Sequence, residues 1–175
     1  MKIFYNLIIV LIVIFQTLPT NAHIEHYAKL ERIEFDIYRN NKHIGEHIFS
    51  FERNDDILSV KSVITFKIKK LGVVLYDYIA EGTEHYKENQ LVKFNSKTDQ
   101  NGKEKYVNIV VEDNKYTIDG SSFKGKAPTD YLIGTWWNHS LVEADAQISA
   151  VSGRIIKQKV KFIGKETIKI DNKNY

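Results

Sequence analysis

The side chains best equipped for chemistry in this sequence are its six histidines and the acidic residues between Asp77 and His85. If the chain is cut after Ala22, His23 becomes an N-terminal residue whose α-amine and imidazole can chelate Cu(II), with His26 as a further nitrogen donor. That reading depends on a cleavage position fixed to the residue, and free N-terminal segments are commonly disordered. His43 and His47 stand four apart, about 13 Å along a strand, too far to share a metal unless Gly45 bulges. No metal and no cofactor is therefore expected. Asp77, Glu81, Glu84 and His85 carry the acid and base groups that a hydrolase needs. Strand alternation, however, sets Asp77, Glu81 and His85 on the opposite face from Glu84, and no nucleophile is obvious nearby. A solvated face laced with Lys93 and Lys97 accounts for this cluster better. Ser121-Ser122 and Gly120-x4-Gly125 lack both the strand-to-helix elbow and the Gly-Lys-Ser/Thr ending of a phosphate loop. No catalytic residue is assigned, and the sequence speaks against an enzyme more than for one.

Aromatic residues offer a different chemistry. Trp136-Trp137-Asn138-His139 sets two large rings beside a polar handle, which suits the mouth of a pocket and equally a plug at one end of a β core. Tyr76 and Tyr78 share a strand face, and Phe66 sits on the inward face of the preceding strand. The residues expected to bind an apolar or lipid-like small molecule are thus Phe66, Tyr76, Tyr78, Trp136 and Trp137.

The elements that must position them are strands. Between Lys61 and Gly102 runs the longest two-residue alternation in the chain: Leu58, Val60, Ile64, Phe66 and Ile68 against Ser59, Lys61, Thr65, Lys67 and Lys69. Strands are predicted at Glu31–Arg39, His43–Arg53, one ending before Leu71-Gly72, Val73–Lys87, Leu91–Thr98, Tyr106–Val111 and Lys115–Asp119, joined by short polar turns. Gly45 reads as a bulge or close-approach site, and Asn101-Gly102 as a type I′ turn in which both residues take positive φ. Gly120–Lys126 reads as a loop. Pro128-Thr129-Asp130 opens a stretch that does not alternate and is predicted to be a brief helix ending near Leu141. Strands resume at Arg154–Ile163 and, across Gly164-Lys165, at Glu166–Ile170. The expected fold is all-β: a strongly curved antiparallel sheet or open β-barrel of about nine strands, with one short helix near 129–141.

With 175 residues, 43% hydrophobic and 27% charged, the chain has the composition of one globular domain. A net charge of +3 from singly scattered lysines is no nucleic-acid footprint. Lys2, the apolar run Ile3–Phe15 and Thr20-Asn21-Ala22 form a secretory signal pattern, shorter than the roughly 20 residues of a bilayer span. Residues 1–22 are read as a signal peptide and 23–175 as one β domain, periplasmic or secreted, with no stable membrane span after processing. Without cysteine there is no disulfide framework, so the core alone must hold the fold.

The order of Ile44-Gly45, Leu71-Gly72, Tyr76-x-Tyr78, Glu84-x-Tyr86, Leu91, Thr98, Asn101-Gly102, Pro128-Thr129, Trp136-Trp137-Asn138, Gly153 and Gly164 resembles an exported family of Gram-negative bacteria catalogued only as a domain of unknown function. The resemblance spans the exported part and implies a β-rich periplasmic fold, with no activity or catalytic residue to carry over. Such families usually continue with further strands, so a C-terminal truncation and an unclosed sheet are expected. Function then divides three ways: a binding module for an apolar or amphiphilic ligand, an envelope protein–protein module that offers an open sheet edge, and, weakest, a copper-binding or hydrolytic enzyme.

Overall fold

The computed structural model describes residues 27, 29–170 and 172–174; the signal segment and the His23/His26 pair lie outside them. The alternating stretch folds into a single meander of eight antiparallel strands in sequence order. They are β1 (Arg32–Arg39), β2 (Lys42–Asn54), β3 (Ile57–Lys70), β4 (Val73–Lys87), β5 (Gln90–Gln100), β6 (Lys103–Glu112), β7 (Lys115–Gly120) and β8 (Lys124–Pro128). Connections of two or three residues leave each strand no neighbour but the next, which is why chain order and spatial order coincide. Every tight turn from β1 to β7 carries a residue at positive φ, among them Asn40, Asn41, Asp55, Glu88, Asn89, Asn101, Asp113 and Asn114. Asn and Asp tolerate that region because their short side chains bond locally.

The all-β expectation holds, but the sheet is open: β1 and β8 are its two edges, and no ladder closes it into a barrel. Gly120–Lys126, expected as a loop, contains the start of β8, which pairs with β7 from Asp119↔Lys124 to Lys115↔Pro128. The expected helix near 129–141 is reduced to a four-residue 3-10 turn, His139–Val142, capped by the Asn138 side chain. The stretch before it does alternate: Ile133, Thr135 and Trp137 are buried while Trp136 is exposed. Ile133 and Thr135 are β-branched and flank Gly134, a combination that favours extended chain. There β9 (Leu132–Ile133) runs parallel to β10 (Ala146–Ile148), which also pairs with β11 (Ile155–Lys157). The hairpin expected across Gly164-Lys165 does not form; β12 (Lys169–Ile170) pairs instead with β13 (Lys173–Asn174).

One face of the large sheet carries Phe49, Phe51, Val60, Tyr86, Leu91, Phe94, Val107, Ile109, Tyr116 and Ile118, and the segment 131–150 covers it with Ile133, Trp137, Leu141 and Ile148. Three single-residue bulges adjust the alternation, since each extra residue reverses which face its neighbours take. Val92 is the extra residue between the pairs His85↔Lys93 and Tyr86↔Leu91, so odd-numbered Leu91 and even-numbered Phe94 both point inward. Leu75 plays the same part between Ile68↔Tyr76 and Lys69↔Val74. Val74, which strict alternation would put on the face of Tyr76 and Tyr78, is therefore opposite Lys69. Ile44 is the extra residue near Gly45.

Gly45 is a close-approach site, because a Cβ there would run into the Thr65 carbonyl oxygen and lie 2.5 Å from Phe66 Cα. Around Gly102 there is open space, and its φ of +81° alone selects glycine. Gly102→Val is accordingly expected to lower stability by about 1 kcal/mol or more through backbone strain. Gly45→Ala should cost about 3 kcal/mol, because backbone must move. Urea unfolding midpoints rank the two; equal shifts would mean that β2 and β3 are not in close contact at Gly45.

Candidate functional site

The inner face divides into two halves. In the covered half lies Glu84, 2% exposed, placed on the apolar face by the alternation of β4 and opposite Phe94 and Val60. An isolated carboxylate at that depth would be strongly disfavoured. It is held by three donors: Thr135 Oγ1 and Trp137 Nε1 donate to Oε1 at 2.7 and 2.8 Å, and the Tyr86 hydroxyl donates to Oε2. Two donors come from the covering segment and one from the carboxylate's own strand, so the group fastens the cover to the sheet. Burial pushes the Glu84 carboxyl above its ordinary value of 4.5, against the opposing pull of the three hydrogen bonds. Burial and then the Glu84 charge raise the Tyr86 phenol as well, and the same two causes, in the same order, bring Tyr116 up to about 12.

Where the cover gives way to the open half, a cleft of about 220 Å³ is lined by His47, Ser62, Ile64, Tyr78, Ala80, Glu81, Gly82, Phe94, Ser96 and Thr98 from the sheet and by Gly134, Thr135, Trp136, Ala150 and Val151 from the cover. Beyond it the Phe66 ring stacks on Tyr78 and Tyr76, centroids 5.0 and 5.8 Å apart. Polar groups sit at the margin. His47 Nε2 bonds the Ser62 hydroxyl at 2.9 Å, and burial pushes the imidazole below 6.5. Lys105 Nζ donates to Gln100 Oε1 at 2.5 Å, and Gln100 Nε2 donates to the Tyr76 hydroxyl at 2.7 Å. The Thr98 hydroxyl is buried without a well-formed hydrogen bond, although it lies close enough to Tyr78 to pull that phenol down against the upward push of burial.

Of the five aromatic residues expected to bind a ligand, Tyr78 and Trp136 line the cleft, while Phe66 and Tyr76 extend its apolar wall. Trp137 is elsewhere. It is buried among Phe51, Tyr86 and Tyr27, with ring centroids 5.2 to 5.7 Å away. Trp136 is 67% exposed and has φ of +70°, so adjacent tryptophans serve opposite ends: one fills the core and one overhangs the cleft. Asp77, Glu81 and His85 lie on the outer face as expected. Glu81 faces Lys97, His85 faces Lys93, and Asp77 meets Lys67 at 2.9 Å. His43 and His47 are not brought together: His43 meets Asp36 at 3.2 Å near Glu46, on exposed chain, and His47 faces the cleft. The Glu84 cluster went unread, although a carboxylate in phase with Tyr76, Tyr78 and Tyr86 was the signal for it.

A family profile described as a domain of unknown function, DUF6134, matches residues 35–175. No curated protein and no solved structure matches the chain.

Because the folded-state carboxyl of Glu84 is raised, its contribution to stability is complete below pH 4.5 and is lost as pH rises through the shifted value. His47 has the opposite sign, its lowered value adding stability as pH rises toward 6.5. The difference between wild type and Glu84→Gln isolates the carboxyl. Denaturant titrations across this range are expected to show wild type losing stability, relative to the variant, as pH climbs above 4.5. A difference that stays constant with pH would show that Glu84 ionises in the fold as freely as in the unfolded chain.

Proposed function

Since the chain belongs to the DUF6134 family, a domain of unknown function, we propose a function from its own geometry: it is a binding module for an amphiphilic small molecule held on the inner face of the sheet. The observation that carries this reading is the split of that face. One half is filled by the protein's own side chains, whereas the other keeps a cleft open between Ile64, Tyr78, Ala80 and Trp136. Filling it would have stabilised the fold by roughly 25 cal/mol per Å² of apolar area. A volume of about 220 Å³ falls below the roughly 300–1,000 Å³ of a site that encloses a small molecule. The ligand therefore places its apolar part in the cleft and along the Phe66–Tyr76–Tyr78 stack. Lys105, Gln100 and the Tyr76 hydroxyl stand where a polar or anionic head would emerge.

The signal pattern of residues 1–22 supports an exported protein, processed after Ala22, and the resemblance to an exported family implies a Gram-negative periplasm. Such a setting suits a carrier of lipid-like molecules. The competing edge-binding reading has less support, because β1 presents Arg32, Glu34, Asp36 and Arg39 along its length and β8 ends in Pro128. Charges and proline are the ordinary means of blunting a sheet edge.

Thermal melts with long-chain fatty acids and a lysophospholipid test the proposal. Saturation at a hundred times Kd is expected to add about 2.7 kcal/mol of stability. Trp136→Ala should weaken that effect while moving the unliganded melt little, because the ring is mostly exposed. Failure of every amphiphile to shift the wild-type melt would overturn the carrier reading.

A further inference from the structure

The β3–β4 hairpin departs from the rest of the meander at its tip. The last pair of β2 with β3 on this side is Gly45↔Phe66, and that of β4 with β5 is Tyr78↔Gln100. Asp77 still accepts a hydrogen bond from Asn101 N at 2.8 Å, so from Lys67 to Tyr76 the hairpin pairs only with itself and forms a two-stranded arm. Isolated pairs of strands are marginal in water, yet this one ends in Leu71, Val73, Val74 and Leu75, all exposed, with Leu71 at 95%. Leu71 also takes φ of +51°, a region that a branched apolar side chain rarely occupies. The other turns from β1 to β7 fill such positions with Asn, Asp, Glu or Gly. The Leu75 bulge breaks the alternation, so apolar side chains emerge on both sides of the arm. Propensity, solubility and packing would each choose other residues here.

Charge is distributed to match. In a meander, alternate turns fall at the same end of the sheet. The end holding this tip has Arg39 and Lys42 at the β1–β2 turn, Lys69 and Lys70 beside Leu71, Lys103 after Gly102, and Lys124 at the start of β8, all exposed. The opposite end presents Asp55, Asp56, Glu88 and Asp113 in its three turns and Glu112 beside them, against the flanking cations Arg53, Lys87 and Lys115, of which Lys87 is held by Asp56. Among the described residues, Lys69 and Lys70 form no ion pair, whereas Lys67 is held by Asp77 and Lys124 by Asp119.

We propose that the β3–β4 tip inserts into an anionic lipid bilayer, with Leu71, Val73, Val74 and Leu75 entering the interface and Lys69 and Lys70 meeting the headgroups. The small net charge of the whole chain hides this end-to-end asymmetry, which orients the protein tip-first toward a negative surface. An apolar anchor joined to a basic patch is the combination that gives stable peripheral attachment where either alone is marginal. The acidic end faces away from the bilayer. Docking does not depend on the cleft, although the Phe66–Tyr76 stack lies between cleft and tip and would face the same surface.

Vesicle sedimentation with the mature chain tests this, using phosphatidylcholine alone and phosphatidylcholine mixed with phosphatidylglycerol. Wild type is expected to bind the anionic vesicles and to lose affinity as salt is raised. Leu71→Asn combined with Val73→Thr should weaken binding about tenfold or more. Asn also relieves the positive φ, so an unchanged or higher melting temperature would show that the loss is not unfolding. Lys69→Gln with Lys70→Gln should cost about fivefold per lysine on anionic vesicles and little on neutral ones. Trp136→Ala should leave vesicle binding intact, which separates docking from ligand capture. No binding to anionic vesicles, binding untouched by both tip variants, or a concentration-dependent dimer abolished by Leu71→Asn would overturn the proposal.

Discussion

The Glu84 carboxylate is the constraint around which the inner half of this protein is arranged. A buried anion must be supplied with donors or protonated, and here the donors are Tyr86 from the same strand and Thr135 and Trp137 from the segment lying across the sheet. That geometry fixes where the cover sits to within a hydrogen bond. The Trp137 ring then fills the space between Tyr86 and Phe51. Because successive residues of an extended chain face opposite ways, seating Thr135 and Trp137 inward leaves Trp136 outward, over the open cleft. A polar contact in the core thus sets the position of an aromatic residue at the margin of the cleft.

The same seating divides the sheet by function. Where the cover reaches, Phe94, Val107, Ile109 and Ile148 are almost wholly buried and supply the stability. At and beyond the margin of the cover, Ile64, Phe66, Tyr76, Tyr78 and Ala80 stay only partly buried. Ion pairs among the described residues, such as Lys61 with Glu81, Lys87 with Asp56 and Lys124 with Asp119, add little individually because both partners are largely solvated.

The meander was legible because its information is local. Alternation names a strand and Asn-Gly names a turn, and short connections force neighbours in sequence to pair, so β1 to β7 could be read to within about three residues at their ends. What escaped depended on distant partners. The brief strand β9 exists because β10, more than ten residues later, pairs with it, and no local pattern announces that. Bulges at Ile44, Leu75 and Val92 depend on register between strands, so the face that Val74 takes does not follow from alternation alone. Glu84 stood in phase with three tyrosines, but its donors Thr135 and Trp137 lie some fifty residues away, and a carboxylate in a strand rich in charge reads first as surface. Two of the five aromatic positions meet at the cleft and two more adjoin it, because phase along a strand predicts a shared face. Trp137 departs from them because phase within 131–137 was not recognised.

Strand order has a consequence for how the molecule assembles. Each pairing in the large sheet joins segments separated by a few residues, so loop closure is inexpensive and hairpins can add one after another along the chain. The contacts between segment 131–150 and β3, β4 and β5 close far longer loops, from Ser96 to Ala150 and from Glu84 to Trp137. Their closure costs more chain entropy than that of any hairpin in the meander. Interactions that form after the rate-limiting barrier govern how fast the native state comes apart rather than how fast it is reached. Contacts of that kind in the cover, the grip on one carboxylate among them, are the ones expected to act on the lifetime of the folded protein more than on the pace of its folding.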